Sequence, residues 1–140
     1  MDVRLGSTHV VVNANTGYAL DLDTNNNKSV IAVPVNNKSN QQWTLEDAGD
    51  GYVRIKNKHG SGKYLSIGGD TQDGAHLICS PHQQTWRIIG DTEKPNHLRI
   101  FFSGTQFVVD GLYSEPGYPV NIYKNNGGQR QAWIFELVDA

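Results

Sequence analysis

Asp21 and Asp23, two residues apart, are the first side chains in this sequence whose types and spacing could do chemistry. With Asn25 they supply alternating oxygen donors, as at the start of a calcium-binding loop. Such a loop needs glycine at its sixth position and a bidentate glutamate at its twelfth. Asn26 and Ala32 stand at those positions, which excludes an EF-hand. As an acid–base pair the two aspartates lack a neighbour that would raise one pKa, so they do not make a glycosidase. His76, Cys79 and His82 follow one another at intervals of three. On a strand that spacing puts successive side chains on opposite faces, so no metal is assigned to them. No glycine-rich loop leads from a strand into a helix, and no serine sits in a nucleophile elbow. The chain reads as a non-enzyme that needs no cofactor.

The elements that position these side chains announce themselves through a repeat. Gln41-Gln42-Trp43, Gln84-Thr85-Trp86 and Gln131-Ala132-Trp133 share one pattern and contain all three tryptophans, 43 and 47 residues apart. An apolar residue follows two positions later: Leu45, Ile88, and Phe135 with Leu137. In a strand alternate residues share a face, so glutamine, tryptophan and apolar residue are expected on one side, with the indole entering a common core. The glutamine amide, close to that buried edge, needs hydrogen-bond partners, expected from loop backbone.

Between these motifs the chain is a series of short β-branched and aromatic runs separated by polar turns. Strands are expected at 10–12, 18–22 and 29–35 in the first repeat, 52–56, 63–67 and 75–79 in the second, and 97–101, 107–110 and 119–124 in the third, each followed by a tryptophan strand. Turns fall at 13–17, 23–28, 59–62 and 103–105. From the apolar residue of each second strand to the tryptophan, Leu20 to Trp43 spans 23 residues, Leu65 to Trp86 spans 21 and Val109 to Trp133 spans 24. A four-stranded unit cannot bury its apolar face alone, so three units must close round a shared core. The fold expected is all-β, a β-trefoil of three four-stranded repeats with pseudo-threefold symmetry, one domain over 1–140 with repeats at about 6–47, 48–91 and 92–140. A sandwich would also bury alternating strands but would leave the period unexplained.

Composition narrows the function. A net charge of −2 with 19% charged residues argues against a nucleic-acid-binding face. No apolar run reaches membrane-spanning length, and residues 1–5 lack the apolar core of a secretory signal. Cys79 is the only cysteine, so no internal disulfide can form, and a cytoplasmic setting is expected. Asn27-Lys28-Ser29 and Asn37-Lys38-Ser39 fit the glycosylation pattern, which without secretion is expected to go unused.

The three in-register motifs, with phrases such as Gly17-Tyr18-Ala19-Leu20-Asp21-Leu22 and Asn40-Gln41-Gln42-Trp43, resemble the ricin-B-type lectins along essentially the whole chain. The resemblance is to their small cysteine-poor mushroom branch, which includes a mannose-binding lectin and the light subunit that accompanies tyrosinase. It implies up to three shallow sugar sites, one per repeat. Each would combine an aspartate ending the second strand, an aromatic on the third, polar residues in the next loop, and an asparagine beside the motif glutamine. A carboxylate accepts from two sugar hydroxyls, amides donate, and the ring covers the apolar C–H face of the sugar.

Carried onto this sequence, the resemblance gives Asp110, Tyr123, Asn126 and Gln131 in the third repeat, with Arg130 where asparagine is expected. The first repeat keeps Asp21, Asn36, Asn40 and Gln41, with Val33 at the aromatic position. The second has Ser66 for the aspartate and Cys79 nearest the aromatic, and is expected to serve folding alone. The resemblance therefore implies a lectin whose partners are glycans or monosaccharides, as a monomer or homodimer. Its alternatives are a non-catalytic light subunit bound to a protein partner, and a trefoil protease inhibitor, which the three tryptophan motifs disfavour.

Overall fold

A computed structural model describes residues 3–59 and 62–138. Its twelve strands are β1 (Thr8–Asn13), β2 (Ala19–Leu22), β3 (Val30–Val33), β4 (Trp43–Gly49), β5 (Tyr52–Asn57), β6 (Tyr64–Ile67), β7 (Leu77–Ser80), β8 (Trp86–Gly90), β9 (Leu98–Phe102), β10 (Phe107–Asp110), β11 (Asn121–Lys124) and β12 (Trp133–Leu137). Nine fall on the runs expected from the sequence, β10 without displacement and the others with ends displaced by at most two residues, and β4, β8 and β12 open on the three tryptophans. The strands start and stop where turn-forming side chains take over the backbone. Asp23 Oδ1, for instance, accepts from Asn25 N, and Asn26 Oδ1 accepts from Lys28 N and Ser29 N. The oxygens that imitate a calcium loop thus hold their own turn. In the turn expected at 59–62, Gly60 and Ser61 lie outside the described residues.

Six strands pair in a closed antiparallel ring: β1 with β4, β4 with β5, β5 with β8, β8 with β9, β9 with β12, and β12 back to β1. Closure removes the open edges that a six-stranded sheet would expose. The other six form three hairpins, β2–β3, β6–β7 and β10–β11. These hairpins meet one another through the bridges Ser29 with Ile78, Ile31 with Pro119 and His76 with Asn121. A barrel capped by three mutually bonded hairpins is a β-trefoil.

The indoles tie cap to barrel in the same way three times. Trp43 Nε1 donates to Leu20 O at 2.9 Å, Trp86 to Leu65 O at 3.1 Å and Trp133 to Val109 O at 3.0 Å. All three tryptophans are fully buried, and their acceptors are the apolar residues from which the repeat spacing was counted. One expectation fails in its detail. Gln41 and Gln131 precede the tryptophan strands and lie in 3₁₀ turns, Ser39–Gln41 and Gln129–Gln131, so they do not share a strand face with the indole. The tight turn is what lets each amide point back at the hairpin. No helix among the described residues is long and apolar enough to cross a membrane.

Candidate functional site

The first repeat carries Asp21 one residue before the end of β2; the residue is 3% exposed and its Oδ2 accepts from Gln41 Nε2 at 2.9 Å. The second N–H of that amide donates to Pro34 O, and Oε1 accepts from Asn36 N at 2.8 Å. One fully buried amide thereby fixes the carboxylate and both ends of the loop that follows β3. The third repeat copies this atom for atom. Gln131 Nε2 donates to Asp110 Oδ2 at 3.0 Å and to Lys124 O at 3.0 Å, and Gln131 Oε1 accepts from Asn126 N at 2.8 Å. With every polar atom of the two glutamines engaged and both at 0% exposure, Gln41 and Gln131 stand behind the aspartates and position them.

Asn36 and Asn126 close the equivalent turns. Asn36 Oδ1 accepts from Lys38 N at 2.9 Å, and Asn126 Oδ1 from Gly128 N at 2.8 Å. Both residues are exposed, and neither Nδ2 has a partner among the described residues, leaving two donors at each site. Burial pushes the Asp21 carboxyl above the usual range, the Gln41 and Asn40 amides pull it down, and the charge of Asp23 adds to the rise.

The aromatic position is resolved by strand register. Asp110 faces Asn121 and Val108 faces Tyr123 across the β10–β11 hairpin, so Asp110 and Tyr123 occupy one face on a diagonal. Tyr123 is half-buried, and a Cβ added at Gly74 would come within 3.3 Å of its hydroxyl, so the 73–75 loop of the second repeat covers part of the ring. Val33 holds the matching diagonal to Asp21 in β3. In the second repeat Ser80, not Cys79, takes that place, because Tyr64 pairs with Ser80 and Leu65 with Cys79. Cys79 points into the core at 2% exposure, and burial raises its thiol pKa to about 12. Ser80 Oγ donates to Ser66 Oγ at 2.9 Å, and Ser66 donates on to Tyr64 O and His82 O. That hydroxyl chain occupies the place of a carboxylate.

Several contributors escaped the sequence reading. Asn57 Nδ2 donates to Asn40 O at 3.1 Å, and Asn13 Nδ2 to Arg130 O at 3.0 Å. Each therefore holds the residue before a motif glutamine from the first strand of the next repeat in the ring. Opposite the tryptophans the register gives Asn57, Phe102 and Asn13, so the second repeat lacks this anchor as well. The 44- and 45-residue spacing of Asn13, Asn57 and Phe102 was a signal that could have found them. Arg99, 8% exposed, holds the third-repeat loop through Gly127 O and Gly128 O, both at 2.9 Å, and pairs with Asp91 at 3.0 Å.

The β10–β11 loop supplies the exposed aromatics. Leu112 adopts φ 44°, unusual for a residue with a side chain, and its N donates to Asp110 Oδ1 at 2.7 Å. Gly111 is required beside it, since a Cβ there would meet Asn13 Nδ2 at 2.8 Å. Tyr113 and Tyr118 then stand 45% and 50% exposed, with ring centroids 4.8 Å apart. Nothing in their spacing marked them in advance.

Comparison with known proteins supports the same architecture. Residues 3–80 match the family model described as ricin-type β-trefoil lectin domain-like. A Macrolepiota procera ricin B-like lectin, solved in complex with lactose, is 31% identical, with 97% of this chain and 99% of that one covered at a TM-score of 0.90. A designed threefold-symmetric protein, ThreeFoil, is 27% identical over 92% and 97% of the two chains, TM-score 0.85. The Rhizoctonia solani agglutinin is 25% identical over 99% and 100%, TM-score 0.83. No curated protein is similar enough in sequence to count as a match.

Proposed function

The chain belongs to the ricin-type β-trefoil lectin domain-like family, and from that premise we propose that it is a non-catalytic lectin working through the first and third repeats. The observation that carries this reading is the duplicated cradle, Asp21–Gln41–Asn36 and Asp110–Gln131–Asn126, with equivalent hydrogen bonds differing by 0.1 Å or less. A held carboxylate beside an exposed amide suits a sugar hydroxyl, which donates and accepts at once. Asn36 and Asn126 donate through Nδ2. Tyr113 and Tyr118, with the open part of Tyr123, supply ring surface at the third site, whereas Val33 leaves the first without any.

The lactose bound by the Macrolepiota lectin makes a β-galactoside the first ligand to test, with mannose second. A shallow single-sugar site is expected to bind near millimolar, about −4 kcal/mol. Lactose titration followed by amide NMR should shift signals round Asn126 and Asn36. A glycan array on which the protein captures nothing would sink the lectin reading. Silence on the array would favour a partner-subunit role. That second reading has its own support in a pocket of about 370 Å³ on the barrel wall, where Tyr52, Ile89, Phe101 and Phe102 gather round Arg87.

A further inference from the structure

We propose that the third-repeat site selects sugars carrying an anionic substituent, a carboxylate or a sulfate, through Arg130, while the first-repeat site takes neutral sugars. The proposal rests on the lectin reading and deepens it. It starts from one position at which the two cradles differ. The residue before the motif glutamine is Asn40 in the first repeat, 8% exposed, with Nδ2 donating to Leu22 O at 3.2 Å. In the third it is Arg130, whose side chain is 49% exposed.

The guanidinium lies over Asp110, with Nε 3.9 Å from Oδ1, and Nη1 donates to Leu112 O at 3.3 Å. Asp110 itself is 1% exposed and already accepts from Gln131 and Leu112. The third site therefore presents to solvent a half-exposed cation, held beside the carboxylate by this ion pair and by the Leu112 carbonyl. A planar fork of this kind matches a carboxylate or sulfate in two parallel hydrogen bonds. At the first site no arginine stands beside the aspartate: Asp21 forms no ion pair among the described residues, Asp23 lies two residues on, and the exposed Lys38 of the Asn36 turn carries a point charge without the planar fork.

The apolar half of an acidic sugar has a partner within reach. The carbonyl that Arg130 holds belongs to Leu112, and the next residue is Tyr113, paired with Tyr118 in the open. A sugar ring with its C–H face on this pair would bring a ring substituent to the guanidinium. Leu112 is kept in its left-handed conformation by Asp110, so carboxylate, cation and aromatic pair are set by one strained loop. Glu115, in the same loop, is exposed and its charge is screened by solvent.

The test compares galactose, galacturonate and galactose-6-sulfate by NMR titration of wild type, Arg130→Asn, Arg130→Lys and Tyr113→Ala. Wild type should bind at least one acidic sugar about tenfold more tightly than galactose, with shifts at Asn126. Arg130→Asn, which copies the first repeat, should abolish the preference without changing the melting temperature. Arg130→Lys should keep part of it, since the charge survives and the fork does not. Tyr113→Ala should weaken every sugar at this site and leave the ratio between them unchanged. Whichever acidic sugar binds more tightly identifies the anion. Equal binding of galactose and both acidic sugars by wild type, or a preference that survives Arg130→Asn, would overturn the proposal and leave the lectin reading standing. Failure of all three sugars, on the array as well as in titration, would overturn both.

Discussion

The first and third repeats hold an aspartate with the same glutamine geometry and then present different groups to solvent. Asn40 turns its amide inward to Leu22 O, whereas Arg130 lies half in solvent above Asp110. The second repeat has neither arrangement. Gln84 Oε1 accepts from Ile67 N at 2.7 Å, but Ser66 offers no carboxylate and Phe102 replaces the anchoring asparagine. All three repeats nevertheless keep the indole-to-hairpin bond. The comparison separates two layers of the molecule. The tryptophans tie cap to barrel in every repeat, while the cradle above them differs from one repeat to the next.

The largest effect follows from the shared layer. Trp43→Ala, Trp86→Ala and Trp133→Ala should each cost about 3–5 kcal/mol, because each empties a fully buried indole site and orphans a main-chain carbonyl. Chemical denaturation measures this directly. If Trp86→Ala were much milder than the other two, the second repeat would be dispensable for folding as well as for binding.

The cradle should show the asymmetry instead. Gln41→Ala and Gln131→Ala each strip partners from a carboxylate, a loop N–H and a carbonyl, and should cost about 1–3 kcal/mol. Gln84→Ala removes the bond from Ile67 N at a half-buried residue and should fall at or below the low end. Equal losses at all three, read from urea midpoints, would contradict the view that the second cradle has decayed.

The anchors cross repeat boundaries, which gives a sharper test. Asn57 lies in the second repeat yet holds Asn40, so Asn57→Ala should weaken sugar binding at the first site and spare the third. Asn13→Ala should do the reverse. Asn57→Ala loses the bond to Asn40 O and the one from His59 N, and Asn13→Ala the bond to Arg130 O and those from Asn15 N and Thr16 N, at about 1 kcal/mol of stability per bond. Chemical-shift changes at Asn36 and Asn126 during titration distinguish the two sites. Weakening of both sites by either variant would mean the repeats are coupled more tightly than single hydrogen bonds allow.

What the sequence disclosed follows from what repeats. The period of the tryptophans required three units closing on one core, and the count from Leu20, Leu65 and Val109 reached the residues that accept the indole bonds. Asp21 and Asp110 could be located because the family resemblance places a carboxylate at the end of the second strand, and the repeat fixes where that strand lies. The strand-face placement of Gln41 and Gln131 fails because a 3₁₀ turn, invisible in apolar periodicity, rotates them off that face. Ser80 was displaced by one residue to Cys79 for a related reason: a slip of one exchanges the core and outer faces of a strand. Tyr113, Tyr118 and Arg99 act through loop conformation and contacts distant in the chain, which no short window of sequence contains.

The smallest effect, and the one most specific to the first repeat, concerns acid. Asp21 has its pKa raised, chiefly by burial, so the folded protein takes up a proton there more readily than the unfolded chain. Its contribution to stability should therefore improve as pH falls through the raised folded pKa towards the ordinary value of 3.8, and worsen as pH rises through the same window. Asp91 runs the opposite way. Hydrogen bonds from Glu93 N, the Arg99 guanidinium and Lys94 N hold its pKa below 3.8, so its stabilising contribution is complete above that value and lost as pH falls below it. Thermal melts of wild type, Asp21→Asn and Asp91→Asn between pH 7 and pH 3 separate the two groups. The gap between wild type and Asp21→Asn should move in favour of wild type on acidification from pH 7 to about pH 4. The gap to Asp91→Asn should hold over that range and narrow only below it. Because Asp91 grips Arg99, and Arg99 grips the Gly127 and Gly128 carbonyls, sugar binding at the third site should fade in the same acid range in which Asp91 protonates. A first-site titration that fades in step with it would show that the loss comes from global unfolding and not from release of the third-repeat loop.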